Sequence, residues 1–381
     1  MSNNSVLRAS RALIHLDYLQ ENISLVRKKT GKKICMPVKA DAYGHGALSI
    51  AKTALDSGAE YLAIATVNEG KELRDGGITA PIIIFSIVLP EEVDALIASD
   101  LEPMAGDSEY IEILEERAAK AGKKVPVHLK IDTGMGRLGC TPGDAVSLAS
   151  RIAGSKNLVL AGTATHFAVS DSLEQVDIDY TNCQIECFNQ AVESIKKAGI
   201  DPGLVHAANT GAVTFYNHSW FDMVRPGILL YGYEPENSAK SQFKPIMELE
   251  SALTFIKKIK KGQSISYGRT WTAGEDTIIG TIPIGYGDGL SRQLSNNWQV
   301  TLADKYRKEG KQRPLVGRIC MDQCMVDLGI DSTERRWDPV TIFGGKAPHA
   351  GEMALALNTI PYEITCNINK RVPRVYIGYD R

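Results

Sequence analysis

The sequence predicts an α/β fold in which an N-terminal (β/α)8 TIM-type barrel is followed by a C-terminal, mainly-β domain. From residue 11 to residue 232, short apolar runs alternate with segments of helical periodicity, and seven to nine such units fit a closed barrel better than an open sheet. After Pro235 the segments become short, rich in β-forming residues and separated by turn residues. We therefore place the barrel in residues 1–236 and the β domain in residues 237–381.

Individual segments support this division. KICMPV, YLAIA and VPVHLKID have the composition of barrel strands, and residues 174–199 have the pattern of one long helix. The apolar run from Pro81 to Leu89 is predicted as a buried strand. The run RALIHLD at 11–17 is one strand more than the barrel needs, and we expect it to pair with the β domain. Pro37 is unusual in a strand because proline cannot donate a ladder hydrogen bond.

Composition excludes several classes of function. The 381 residues carry a formal net charge of −2, which provides no general basic field for nucleic acid. The longest apolar stretch is far shorter than the roughly 20 residues that span a bilayer, so we expect no membrane association. The seven cysteines form no CxxC pair, and Cys183 and Cys187 lack the further ligands of a zinc site, so we expect no metal. With no export signal at the N-terminus, the expected location is the cytoplasm.

Candidate site residues are the polar residues that directly follow apolar runs. Because the C-terminal ends of barrel strands meet at one mouth, these residues should converge there. The set is rich in cations and in small turn residues, which suits a phosphate, and a lysine at a strand end beside a phosphate indicates a Schiff base to pyridoxal phosphate. Its members are Lys39, Tyr43, Arg137, His166, Asn209, Thr210, Arg225 and Gly227.

The segment VKADAYGHG at 38–46 resembles the cofactor-attachment segment of the alanine racemases. Further motifs of that family follow in order, so the resemblance covers essentially the whole chain. They are HLKIDTGMGRLG, THFAVSD, AANTGA, VRPGILLYG, ISYGRTW, IPIGYGDGL, VGRICMDQCMVDL and NKRVPRVY. The resemblance implies interconversion of L-alanine and D-alanine through an external aldimine of pyridoxal 5′-phosphate, which supplies D-alanine for peptidoglycan.

The resemblance also implies a role for each site residue. Lys39 would carry the cofactor and act as the base for D-alanine, while Tyr267 of the partner subunit would act on L-alanine. Arg137 and the backbone of Met321 would hold the substrate carboxylate. The cofactor would be bound by Lys39, Tyr43, His166, Asn209, Thr210, Arg225, Gly227 and Ile228, with Arg225 at the pyridine nitrogen and Tyr43, Thr210, Gly227 and Ile228 at the phosphate.

Three further features follow from the resemblance. Because Tyr267 and Met321 belong to the β domain, the family arrangement implies a head-to-tail homodimer with composite sites. Lys130 matches a lysine that is carbamylated in many members. The chain departs from the family pattern at Thr210, where serine is usual, and at Lys370, where some members have a phosphate-binding tyrosine.

Other functions stay open at this point. A decarboxylase of the same fold type would place a carboxylate at the pyridine nitrogen, where this chain has Arg225. A non-catalytic pyridoxal-phosphate carrier would lack the β domain. A serine or broad-specificity racemase is harder to separate, although broad-specificity enzymes are typically exported.

Overall fold

The structure, a computed structural model, describes residues 8–235, 241–303 and 310–378. The chain divides into two compact units. The barrel unit comprises Leu19–Ala42 and Ala47–Lys244, and the β unit comprises the described parts of Met1–Tyr18, Tyr43–Gly46 and Pro245–Arg381. The predicted boundary between residues 236 and 237 lies in the segment 236–240, outside the described residues, and stays a prediction.

The predicted barrel is confirmed. Strand β1 (Arg11–His15) precedes it and belongs to the β unit. Within residues 8–235, eight parallel strands then close into a barrel, each hydrogen-bonded to the next and the last to the first. They are β2 (Lys33–Pro37), β3 (Tyr61–Ile64), β4 (Ile82–Ile84), β5 (Glu102–Ala105), β6 (Val125–Lys130), β7 (Leu158–Ala164), β8 (Leu204–His206) and β9 (Met223–Val224). Cys35, Ala63, Ile83, Met104 and Ala164 pack together in a buried core cluster.

Helices alternate with the strands along this part of the chain, and the first residues of α1 and the last residues of α2 belong to the β unit. Their ends carry the expected caps: the Asp107 side chain accepts a hydrogen bond from the Tyr110 amide, and Gly122 closes the same helix at φ +64°. The helices are α1 (Leu16–Thr30), α2 (Lys39–Gly44), α3 (Ala47–Asp56), α4 (Val67–Asp75), α5 (Val93–Ala98), α6 (Ser108–Ala121), α7 (Ala145–Ala153), α8 (Gln175–Lys197), α9 (Thr210–Phe215) and α10 (Gly227–Leu230).

The strand predicted over 81–89 is wrong in its length, because β4 covers only Ile82–Ile84. The amide of Phe85 still donates to the carbonyl of Ile64, where β3 ends. A parallel strand needs a partner of matching length, and beyond Ile64 this partner stops. Ile87 and Leu89 are consequently exposed.

The β unit contains a mixed sheet in which β1 pairs antiparallel with β10 and parallel with β19. The order across this sheet is β16-β15-β18-β10-β1-β19, and a second sheet has the order β11-β14-β17. The strands are β10 (Met247–Ala252), β11 (Phe255–Ile259), β12 (Ser264–Ile265), β13 (Trp271–Thr272), β14 (Thr277–Ile282), β15 (Gln299–Leu302), β16 (Lys311–Pro314), β17 (Cys324–Asp327), β18 (Pro339–Phe343) and β19 (Arg374–Ile377), with helices α11 (Ala350–Ala356) and α12 (Pro361–Asn367). Along β10 buried and half-buried residues alternate, as in a strand with one face against a core.

In the described part of the chain, no helix is both long enough and apolar enough to cross a membrane.

Candidate active site

Lys39 lies where the sequence analysis predicted, two residues beyond the end of β2. It is half-buried and is the first residue of α2. The strand end is fixed from two sides, because the Tyr231 hydroxyl donates to the carbonyl of Pro37 at 2.8 Å and the Val38 amide donates to Ala63. Pro37 is therefore tolerated as the last residue of its strand, and its carbonyl oxygen anchors the lysine.

Helix α2 is left-handed. Ala40, Asp41, Ala42 and Tyr43 have φ angles of +51° to +53°, a region in which residues other than glycine are rare. Such a conformation costs about 1–2 kcal/mol per residue, so the surrounding structure must enforce it. Within the barrel unit, the Glu69 carboxylate accepts a hydrogen bond from the Ala40 amide at 2.6 Å, and Asp41 accepts one from the Ala47 amide at 2.8 Å.

Four of the predicted cofactor residues lie around the beginnings of α9 and α10: Asn209, Thr210, Gly227 and Ile228. Asn209 is the N-cap of α9 and accepts from the Ala212 amide at 3.1 Å. The Thr210 hydroxyl oxygen accepts from the Leu229 amide at 3.3 Å, which links the first turns of the two helices. No acceptor for the hydroxyl proton of Thr210 is found among the described residues, so this proton can be donated to a ligand. Gly227 and Ile228, the first two residues of α10, are buried in the same region.

Arg225 is buried and follows directly after β9. Its guanidinium donates to His206 Nδ1 at 2.8 Å and to the carbonyl oxygens of Thr165 at 2.8 Å and Ala207 at 2.9 Å. These bonds use Nη1 and Nη2 and leave the Nε–H without a hydrogen-bond partner among the described residues. Burial lowers the pKa of Arg225 to about 10, so the group remains a cation at neutral pH.

His166 marks a concentration of positive charge at this end of the barrel. Its pKa lies well below the ordinary value because of burial first, and then because of Arg225, Lys130, Arg137 and Lys39. Lys130 is buried, its Nζ donates to the carbonyl of Ile131, and its pKa is lowered to about 7 by burial and by Arg225. Arg137 is exposed. The structure thus brings together the cationic residues predicted for the barrel, in an arrangement that suits an anionic ligand.

The other predicted residues belong to the β unit. Tyr43 is buried there, and its ring contacts that of Tyr362 edge-on at 5.1 Å between centroids. Tyr267 is 68% exposed and Met321 is 52% exposed. Lys370 is also exposed. The roles assigned to these residues, including substitution of a phosphate-binding tyrosine by Lys370, stay predictions.

Sequence reasoning missed three residues that contact the site through hydrogen bonds. They form a series in which Glu102 contacts His128, His128 contacts His206, and His206 contacts Arg225. One signal was present: His128 stands two residues before Lys130 on β6, and residues at this spacing share a strand face. Among the described residues, no group of three or more His, Cys, Asp or Glu side chains is placed to hold a metal ion.

Comparisons with known proteins identify the family of this chain. The family model described as the alanine racemase N-terminal domain matches residues 14–235, and the model of the alanine racemase C-terminal domain matches residues 246–376. The chain belongs to the alanine racemase family. It is 51% identical to the alanine racemase of Treponema denticola, over 97% of this chain and 99% of the relative.

Solved structures of family members have the same architecture. The alanine racemase of Streptomyces coelicolor A3(2) superposes with a TM-score of 0.91 at 33% identity, over 99% of this chain and all of that one. That of Bacillus anthracis, solved with bound L-Ala-P, superposes with a TM-score of 0.88 at 30% identity, over 98% and 96% of the two chains. The predicted family, fold class and enzyme class, a racemase, are therefore confirmed.

Proposed function

We propose that the barrel mouth binds pyridoxal 5′-phosphate and that the chain interconverts L-alanine and D-alanine in the cytoplasm, as a homodimer that supplies D-alanine for peptidoglycan. The observation that carries this proposal is the buried Arg225, whose position after β9 is the one predicted to face the pyridine nitrogen. A decarboxylase of this fold type would need a carboxylate there. Arg225 instead presents a donor that cannot accept a proton.

The residues present fit the cofactor chemically. A phosphate carries two negative charges and needs several donors, and the barrel offers the Thr210 hydroxyl beside the first turns of α9 and α10. Arg225, Lys130, Arg137 and Lys39 all lower the pKa of His166, which indicates a local excess of positive charge. An aldehyde needs an amine, and Lys39 supplies one at the end of a buried strand.

When bound, pyridoxal phosphate withdraws electrons from the Cα of an attached amino acid and so makes its proton more acidic. Racemisation removes a proton from one face of Cα and returns one to the other face. We assign Lys39 to the proton of D-alanine and Tyr267 of the partner subunit to that of L-alanine. An amine and a phenol can each accept a proton when deprotonated, which is what a base on each face of Cα requires.

Arg225 sets how strongly the site withdraws electrons. A guanidinium donates hydrogen bonds and keeps its own proton at neutral pH, so a ring nitrogen that faces it remains unprotonated. Electron withdrawal by the bound group would then be weaker, which would disfavour side reactions such as transamination. Arg137 and the backbone of Met321 of the partner subunit are assigned to the substrate carboxylate, and the L-Ala-P bound to the Bacillus anthracis relative supports alanine as the substrate.

The test is a cofactor titration followed by a substrate comparison. The purified protein should develop the visible absorbance of a lysine-bound cofactor when pyridoxal phosphate is added, and it should form D-alanine from L-alanine faster than D-serine from L-serine. In Lys39→Ala, both the absorbance and the racemisation should disappear, because the amine is the attachment point and one of the bases. Comparable rates on alanine and serine would instead identify a broad-specificity racemase, and retention of both signals by Lys39→Ala would overturn the assignment of the lysine.

A further inference from the structure

A series of hydrogen bonds crosses the interior of the barrel from one end to the other. Glu102 is the first residue of β5, and its Oε2 lies 2.9 Å from His128 Nε2. His128 Nδ1 lies 2.9 Å from His206 Nε2, and His206 Nδ1 lies 2.8 Å from Arg225 Nη1. Both histidines are fully buried, and the Glu102 side chain is 13% exposed. The series therefore begins at the N-terminal end of a strand and finishes at the site.

The donor and acceptor of every bond in this series can be derived. Arginine only donates, so His206 Nδ1 must accept and its proton must be on Nε2. That proton points at His128 Nδ1, which must therefore accept, so His128 also carries its proton on Nε2. This second proton needs an acceptor, and an ionised carboxylate such as that of Glu102 accepts without donating. Glu102 is thus the terminal acceptor, and a doubly protonated histidine at either position would set two donors against each other.

Charge gives a second reason for a carboxylate at this position. Arg225 is a buried cation, and in the parts of the chain that the structure describes no carboxylate oxygen lies within ion-pair distance of it. A buried charge without compensation is unfavourable, and oriented hydrogen bonds that lead to a distant anion reduce this penalty. A carboxylate that accepts from an imidazole also makes the other ring nitrogen a better acceptor, as it does for histidines bound to metals.

A glycine of the neighbouring strand β7 leaves the space that His128 occupies. An added Cβ on Gly162 of β7 would lie 2.4 Å from His128 Nδ1 and 2.7 Å from the carbonyl oxygen of Leu204. Only glycine leaves room for the imidazole at this point between β6 and β8. The series is therefore not an incidental contact between long side chains, because the neighbouring strand has a glycine, Gly162, at the position where a side chain would collide with His128.

We propose that Glu102 is a positioning residue of the racemase site, which acts through His128 and His206 to hold the guanidinium of Arg225 in the orientation that directs its Nε–H toward the cofactor. This inference rests on the proposed role of Arg225. Glu102 touches neither substrate nor cofactor, and its effect is transmitted through two imidazole rings of fixed tautomer.

The first test uses the cofactor-free protein, with nitrogen-15 in its histidine and arginine side chains. In the wild type, nuclear magnetic resonance should show His128 and His206 as Nε2–H tautomers. Glu102→Gln keeps the size and one acceptor oxygen but removes the charge, so it should shift the resonances of His206 and of the Arg225 guanidinium. Glu102→Ala removes the acceptor and should shift them further. The matched control is Glu60→Gln, because Glu60 directly precedes β3 and pairs with Arg27 instead of a histidine.

The second test is kinetic. We expect kcat for alanine to fall about tenfold in Glu102→Ala and by a smaller factor in Glu102→Gln, the range found when outer hydrogen-bond partners are removed from other sites. KM should change by less than about twofold, because the assigned carboxylate ligands are untouched. Glu60→Gln should match the wild type in both tests.

The outcomes separate this inference from the proposed function. If Glu102→Gln matched the wild type in the His206 and Arg225 resonances and in kcat, the role of Glu102 would be wrong even in an active racemase. If the wild type bound no cofactor and formed no D-alanine, the proposed function would fail. The resonances would then still decide whether Glu102 controls Arg225, since unchanged signals would reject that control and shifted signals would support it.

Discussion

The candidate residues of the barrel and those of the β unit differ in burial and in the hydrogen bonds that they make within their own unit. Arg225 is buried and donates to His206 and to the carbonyl oxygens of Thr165 and Ala207, and Thr210 accepts from a backbone amide of the next helix. Tyr267 and Met321 are 68% and 52% exposed. The barrel thus positions its groups through its own packing. Large exposed side chains in the β unit are what a surface that docks on a second subunit would present.

The backbone at Tyr267 is nevertheless well defined. It lies in a short turn in which Ser266, Gly268 and Arg269 have positive φ angles. The Ser266 hydroxyl donates to the carbonyl of Arg318 at 2.6 Å, and Arg269 Nε donates to the Ser264 hydroxyl at 2.7 Å. The turn therefore fixes where the ring is attached, while the ring itself remains accessible.

Removal of the Tyr267 hydroxyl should give the largest effect and sharpen this comparison. In Tyr267→Phe, exchange of the Cα proton of L-alanine with deuterated solvent should fall by about two to four orders of magnitude, as for loss of a positioned base. Exchange from D-alanine should survive because Lys39 is intact. Net racemisation must slow equally in both directions, since the equilibrium constant between enantiomers is unity. Equal loss of exchange from both enantiomers would contradict the assignment of one base to each face.

Mixed dimers test whether the two regions meet across subunits. Lys39→Ala and Tyr267→Phe chains are each expected to be inactive in racemisation. If one site takes Lys39 from one chain and Tyr267 from the other, a mixed dimer has one site with both bases, and activity should return after subunit exchange. No recovery, with mixed dimers demonstrated by mass spectrometry, would place both bases on one chain.

A smaller effect is expected at the hydroxyl of Thr210. Thr210→Ser keeps the oxygen and should retain most of the cofactor affinity, whereas Thr210→Val should weaken it by about 1–3 kcal/mol, because a charged group then lacks a hydrogen-bond partner. Titration of the cofactor-free variants with pyridoxal phosphate measures the difference. Equal affinities of the two variants would show that the hydroxyl is not a ligand.

The smallest expected effect is on the free energy of unfolding, and it is tested with one glycine from each unit. Gly162→Ala introduces an atom close to His128 and Leu204 and should destabilise the barrel by about 1–2 kcal/mol, the usual result of overpacking. Gly274→Ala, in the β unit, adds a Cβ with nothing within 4 Å and should change stability by less than about 0.5 kcal/mol. Thermal unfolding of both variants measures this. The same loss at Gly274 would mean that packing at Gly162 is unimportant.

The sequence predicted the fold because alternation of apolar strands and helices has a period that can be read locally. It also predicted where Lys39 and Arg225 lie, since a polar residue directly after an apolar run stands at the C-terminal end of a strand. The series from Glu102 to Arg225 could not be predicted in this way. His128 and His206 are 78 residues apart, and only closure of the barrel determines which rings face each other.

Two local features were also beyond the sequence. The end of β4 depends on where β3 stops, which is a property of the neighbouring strand and not of the apolar run itself. The left-handed turn at 40–43 could not be predicted from the residue types, because alanine and tyrosine have no preference for positive φ. Bonds such as the one from the Ala40 amide to Glu69 enforce it from outside the segment.

This turn limits which residues can follow Lys39 in the chain. Four successive positions hold a backbone that mirrors the ordinary helix, so β-branched side chains are disfavoured at each of them, whereas alanine and aspartate fit with less strain. Replacement of Ala40 and Ala42 by their D-enantiomers through chemical synthesis would relax the strain, because the mirror-image backbone is the natural one for a D-residue. In a protein assigned to make D-alanine, the segment that follows Lys39 is itself one in which D-alanine would fit better than the L-form.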